Sequence, residues 1–410
     1  MKQAICIVLL ALLACTFGFE CNPGVGLANQ AETCSPGEPC VDLLPNYILE
    51  GIFTIESPQF TGYECRNTHH NDGVPQTVTI NGNERLYCQS YFETEDLLPL
   101  IVFLHPNGED LLYPYTETNI RNHAANFNLN PAISSNGYVF VSVNALNRHW
   151  PIVNGSTGQD GSNFDYIFRD YEANEDFQFL DVIIDNYVNV LGVVDPRRIH
   201  LIGAANGGFF AQAYALHRSN IPTANGNTVA SVAIYSAANP FGPIAEDSNC
   251  ELSFYPTSSL PILLISRDCD VVSCGDVNNW VNHDLPEKVL DAAVRWVLLN
   301  SDGHEVSSCA SSCDSTSAAI NHATWPITWE NDILDFLKFS VSVPLSPNPE
   351  GPVPQFQGNY TFSDYFSSDP WSSFIPIPFT SSTIIYYQVS GVEALLPTLA
   401  LLVVMFFAAC

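Results

Sequence analysis

Residues 203–207 read Gly-Ala-Ala-Asn-Gly and lie between two segments of opposite character. Arg198-Ile199-His200-Leu201-Ile202 is a short, largely apolar run that reads as a strand, and residues 207–217 read as a helix. A tight strand-to-helix turn with glycines where backbones approach lifts the side chain at its apex above a sheet edge. Such an apex suits a nucleophile that attacks an acyl carbon. The apex residue here is Ala205. A methyl group has no lone pair to attack with. Other residues able to do chemistry follow apolar runs: His105 after 99–104, Asp270 after 261–265, and His304 after 294–299, with His322 further on.

The text around the apex, Val194-Asp195-Pro196-Arg197-Arg198-Ile199 and then Asn206-Gly207-Gly208-Phe209, resembles secreted esterases of the polyhydroxybutyrate depolymerase and feruloyl esterase type. That family usually carries G-x-S-x-G where this chain has G-x-A-x-G. Pro99-Leu100-Ile101-Val102-Phe103-Leu104-His105 is similar to the strand entering the family's oxyanion loop. Residues 261–272 look like the strand and turn that deliver the acid. His322-Ala323-Thr324-Trp325, with Trp329 and Ile333-Leu334-Asp335-Phe336-Leu337, is similar to the family's ending. The resemblance spans roughly residues 75–340. It implies an α/β-hydrolase fold: a mostly parallel, doubly wound sheet with helices on both faces.

By that resemblance Ala205 takes the nucleophile position, Asp270 the acid position and His322 the histidine position. His304 competes for the last, and the tryptophan pattern after His322 favours His322. In a working triad the histidine takes and returns the serine proton, and the acid fixes its tautomer. Two backbone N–H groups stabilise the oxyanion. Asn206 is expected to supply one. The family's His-Gly-x-Gly reads His105-Pro106-Asn107-Gly108 here. Proline has no N–H, so a donor needed at position 106 is absent, whereas one needed at Asn107 is kept. Nucleophile and oxyanion loop both depart from the pattern, which points to impaired catalysis. Ser236 ends the following strand and is expected to lie too far away to replace the missing hydroxyl. No cofactor or metal is implied. His69-His70-Asn71-Asp72 reads as a solvated loop, and Asp268, Asp270 and Asp276 do not fit a calcium loop. Trp150 and Trp280 read as core rather than cleft residues.

The elements that must position these groups alternate in type. Residues 76–80 and 85–92 read as a hairpin around Asn81-Gly82. Residues 99–104, 138–143, 229–235, 261–265 and 294–299 read as buried strands, and 177–187 shows helical spacing. Strands alternating with helices give a mostly parallel sheet.

The ends have a different character. Met1-Lys2, an apolar core over 5–15 and small residues at Thr16 and Gly18 read as a signal peptide over 1–18. Residues 19–50 read as a Cys-rich extension, 51–342 as the hydrolase-like domain and 343–390 as a Pro/Ser-rich stalk, extended in form. Residues 391–410 form an apolar tail without a basic flank. With small residues at Ser381, Ser382 and Ser390 upstream, the tail reads as a GPI-attachment signal, the alternative being one membrane-spanning helix. The expected location is the extracellular face of the plasma membrane. Of 13 cysteines, Cys6, Cys15 and Cys410 fall in removable segments. Cys21, Cys34, Cys40, Cys65, Cys88, Cys250, Cys269, Cys274, Cys309 and Cys313 are left as disulfide candidates in an exported chain. Cys309 and Cys313 are close enough in sequence for a local loop. Asn154 and Asn359 lie in glycosylation sequons. The net charge is −30, with no basic run, which excludes a nucleic-acid partner. The expected partner is an ester, aromatic or polysaccharide-type ligand; oligomeric state is not legible in the sequence.

Overall fold

The computed structural model describes residues 65, 75–91, 94–150, 174–241, 256, 258–289, 292–344 and 352–356. An eight-stranded sheet runs through it in the order β1-β2-β4-β3-β5-β6-β7-β8. These strands are β1 (Gln76–Ile80), β2 (Asn83–Ser90), β3 (Leu98–Leu104), β4 (Val139–Val143), β5 (Val194–Ala204), β6 (Ser231–Tyr235), β7 (Pro261–Arg267) and β8 (Ala293–Leu299). The first two form the hairpin expected at Asn81-Gly82, and both residues take positive φ, 48° and 90°. β2 joins β4 antiparallel, and every later pairing is parallel. This is the α/β-hydrolase topology.

The central strands are apolar throughout because both faces are covered. Leu100, Val102 and Leu104 of β3 point to one side, with Leu201, Phe210 and Trp280. Ile101 and Phe103 point to the other, with Ile202, Trp325 and Leu334. This alternation is the two-residue period of a strand, read twice. The first face carries α1 (Glu175–Asp185) and α2 (Asn206–Arg218), and the second carries α5 (Glu330–Lys338), whose Ile333, Leu334, Phe336 and Leu337 are buried. Asn174 caps α1 through N–H groups of Asp176 and Phe177.

At the centre, β5 turns into α2 with almost no space. A Cβ at Gly203 would stand 2.3 Å from the Gly207 carbonyl oxygen. A Cβ at Gly207 would stand 2.4 Å from the carbonyl oxygens of both Leu104 and His105. Backbone, not a movable side chain, blocks each position.

Two sequence expectations need correction. Cys309 and Cys313 do not close a local loop: Cys269 bonds Cys313, and Cys274 bonds Cys309. Cys65 bonds Cys88. The segment expected to be extended stalk begins with paired backbone instead. β9 (Ser340–Pro344) and β10 (Pro352–Phe356) form an antiparallel pair. Ser340-Val341-Ser342-Val343 carries the two-residue alternation of a strand. The expectations at Cys21, Cys34, Cys40, Cys250, Asn154, Asn359, Ser381, Ser382 and Ser390, the signal peptide and the tail lie outside the described residues.

Gly203→Ala is expected to lower stability by about 3 kcal/mol or more, because backbone must move to admit the methyl group. A urea midpoint unchanged from the native protein would refute that close packing.

Candidate active site

The turn between β5 and α2 holds Ala205 at φ 48° and ψ −120°. Alanine takes such a backbone only under strain, on the order of 1–3 kcal/mol. The Ala205 N–H donates to the Tyr235 carbonyl at 2.8 Å, and the Ala205 carbonyl accepts from Phe209 N–H at 3.0 Å. The tight turn expected between β5 and α2 is thus formed, with the Ala205 methyl group at its apex.

Asp270 lies in the turn after β7, with its side chain buried. His322 lies on α4 (Ser315–Ala323), with its side chain 27% exposed. His322 Nδ1–H donates to Asp270 Oδ1 at 2.8 Å. The same oxygen accepts from Val272 N–H at 3.0 Å. Asp270 Oδ2 accepts from the Ser236 hydroxyl at 2.7 Å, and Ser236 Oγ also lies 2.6 Å from His322 Nδ1. The sequence offered no reason to place Ser236 beside both Asp270 and His322. Its position at the end of β6, next in the sheet to β5, brings it in. It does not replace the missing nucleophile, because it is fully buried and faces Nδ1, the acid side of the ring.

Adjacent residues hold this triangle. Tyr235, before Ser236, donates its hydroxyl to the carbonyl of Asn321, before His322. Asn321 Nδ2–H donates at 2.6 Å to the carbonyl of Cys269, before Asp270. The Cys269–Cys313 and Cys274–Cys309 disulfides tie the acid turn to the loop leading into α4. Asp314 then caps α4 through N–H groups of Thr316 and Ser317. His304 is elsewhere: it sits in an exposed turn after β8, with its N–H donating to Asn300 Oδ1 and its carbonyl accepting from Asn300 N–H.

The loop after β3, expected from the sequence to carry an oxyanion donor, is fastened to residues 145–150. His105 Nδ1–H donates to the Pro106 carbonyl at 2.6 Å, and Nε2 accepts from Ala145 N–H at 3.1 Å. Gly108 N–H donates to the Arg148 carbonyl at 3.0 Å, which Arg148 presents by adopting φ 58°. Arg148 pairs with Asp110 at 3.1 Å. His149 Nδ1–H donates to Asn107 Oδ1 at 2.6 Å. Trp150, stacked on Phe210, donates its indole N–H to the His105 carbonyl. The Asn206 side chain both accepts from Trp150 N–H and donates to its carbonyl. Pro106 has no N–H, and the Gly108 N–H is already bonded to the Arg148 carbonyl. The N–H of Asn206 opens α2, where the first amide groups have no partner within the helix. Trp280 is buried and donates to Gln212 Oε1. Among the described residues, no group of three or more His, Cys, Asp or Glu side chains is placed to hold a metal ion.

No family model matches the chain. No curated protein matches it by sequence. Solved structures do. A thermostable esterase is similar at 16% identity and TM-score 0.39, covering 65% of this chain and 62% of that chain, under two thirds of its length. A ferulic acid esterase is similar at 14% identity and TM-score 0.39, covering 65% of this chain and 96% of that chain. An S-formylglutathione hydrolase from Agrobacterium tumefaciens is similar at 12% identity and TM-score 0.41, over 66% of this chain and 96% of that chain.

Burial holds both histidines of the oxyanion region below their usual pKa, each at about 4, with His105 further depressing His149. Both are neutral in the folded protein. Above about pH 6.5 the unfolded chain is neutral at these sites too, and they add no pH dependence. Between pH 6.5 and 4 the unfolded chain binds protons that the folded chain does not. These two imidazoles should lower stability over that window by up to about 3 kcal/mol each, and their contribution is complete below it. Urea unfolding at stepped pH checks this. His149→Asn should flatten the slope, and an unchanged slope would show that His149 is not held neutral.

Proposed function

We propose that this chain keeps the acid and histidine of an ester hydrolase without its nucleophile, and uses the site to hold a ligand. Ala205 at a complete elbow carries the reading. Removing the nucleophile of a triad costs on the order of a million-fold in turnover, leaving roughly a thousand-fold over water from binding and the oxyanion site. The ligand class follows from the fold's usual cargo and stays broad: ester, aromatic or polysaccharide-type. A second reading has a specific observation in its favour. His322 is oriented by Asp270 as a general base would be, so a water molecule in place of the serine hydroxyl is the competing chemistry.

The proposed location is the extracellular face of the plasma membrane, supported by the apolar start, the sequons and the apolar tail of the sequence. Among the described residues no helix is long and apolar enough to cross a membrane. Phosphatidylinositol-specific phospholipase should release the protein from cells. Retention after treatment, with tail peptides detected, would favour a membrane-spanning helix.

Activity is checked with short p-nitrophenyl esters. The native chain is expected to show no turnover above an unfolded control. Ala205→Ser should gain turnover that His322→Ala abolishes. If position 106 rather than Asn107 is where the second oxyanion donor belongs, the gain is partial while Pro106 remains, since such a donor is worth roughly a hundred- to a thousand-fold, and adding Pro106→Gly raises it again. Robust turnover by the native chain, lost in His322→Ala, would establish the water-based reading and end the binding-only one.

A further inference from the structure

We propose that Ser236 is a positioning residue that locks His322 against Asp270 and fixes which ring nitrogen faces outward. The proposal rests on reading Asp270 and His322 as a retained acid–base pair. Ser236 has a single hydroxyl proton. Asp270 Oδ2, 2.7 Å away, accepts it. The hydroxyl's lone pair is then turned to His322 Nδ1 at 2.6 Å. Nδ1 faces two acceptors, Asp270 Oδ1 and Ser236 Oγ, so the proton of the neutral ring sits on Nδ1. Nε2 is left as an acceptor.

The backbone supports a specific role for this side chain. Ser236 takes φ 54°, beside Ala205 at 48°, at the ends of neighbouring strands where Ala204 registers with Tyr235. Parallel neighbours lie ~4.8 Å apart. A non-glycine residue in left-handed backbone is uncommon and carries strain. Here that backbone keeps the sheet bonded, with Ser236 N–H donating to the Ile265 carbonyl at 2.9 Å, while the side chain reaches across β7 to Asp270. Full burial keeps water from substituting for the hydroxyl.

The test uses the full chain labelled with ¹⁵N at histidine, with the His322 signals assigned through His322→Gln. The native protein should show an exchange-protected, low-field proton on His322 Nδ1. Ser236→Ala and Ser236→Gly should both lose or shift that resonance. Glycine relieves the backbone and alanine does not, so their thermal midpoints should differ while the effect on the resonance is shared. In the Ala205→Ser background, both should lower kcat roughly ten- to a hundred-fold at unchanged KM. The proposal is overturned if the native neutral ring carries its proton on Nε2, or if both variants keep the native resonance. Failure of Ala205→Ser to gain turnover counts against the functional reading alone, and the resonance still decides the role of Ser236.

Discussion

The approach of α2 to the ends of β3 and β5 is the constraint on which the site depends. Only hydrogen fits at Gly203 and Gly207, because carbonyl oxygens stand 2.3–2.4 Å from where a Cβ would be. That contact draws the helix N-terminus down onto the sheet and forces the connecting residue, Ala205, into positive φ. It also brings the elbow beside the Leu104 and His105 carbonyls, so turn and oxyanion loop are placed by one packing event. Trp150 and the Asn206 side chain then close the arrangement, with two hydrogen bonds between them and a third from the Trp150 indole to the His105 carbonyl. Such contacts are worth about 1 kcal/mol apiece. They follow from the glycine packing and do not substitute for it.

The acid and histidine depend on a separate device. Three consecutive pairs, Tyr235-Ser236, Cys269-Asp270 and Asn321-His322, come from two strand ends and one helix. The first member of each pair makes the structural bonds, and the second supplies a corner of the polar triangle. The disulfides act on the same segments from outside, joining residues 44 and 35 apart in sequence. Each removes loop entropy from the unfolded chain. Together they hold the acid turn in register with the start of α4, which no strand anchors.

Much of the fold was legible, because buried parallel strands announce themselves as short apolar runs. The runs at 99–104, 261–265 and 294–299 each became a strand within two residues of the expected ends. The glycines announced the elbow, and the order of acid and histidine carried the rest of the site. What stayed hidden depends on neighbours in space. Ser236 gives no sequence signal: a serine after an apolar run reads as the end of a strand, and only the strand order 5-6-7 puts it between acid and histidine. Cysteine partners were equally unreadable, since Cys309 and Cys313 pair along two parallel paths rather than with each other. His149 entered no motif, yet it is the side chain that fastens Asn107.

The two devices meet through backbone, the Ala205 N–H on the Tyr235 carbonyl, and the side chain at 205 takes no part in that bond. None of the bonds described above that hold Asp270, Ser236 and His322 passes through the side chain of residue 205. None of those holding the oxyanion loop does either; the elbow contributes backbone and the Asn206 amide. Replacing serine by alanine therefore removes one oxygen and leaves the surrounding geometry satisfied. An intact acid–histidine pair is thus no sign of hydrolysis in itself, because nothing in the packing makes it collapse when the nucleophile goes. On the proposed reading, the residual chemistry is set by what His322 Nε2 meets. Water there makes a weak hydrolase. A ligand group that donates to Nε2 and excludes water makes a binding protein, since the bound group then fills the place from which attack must come.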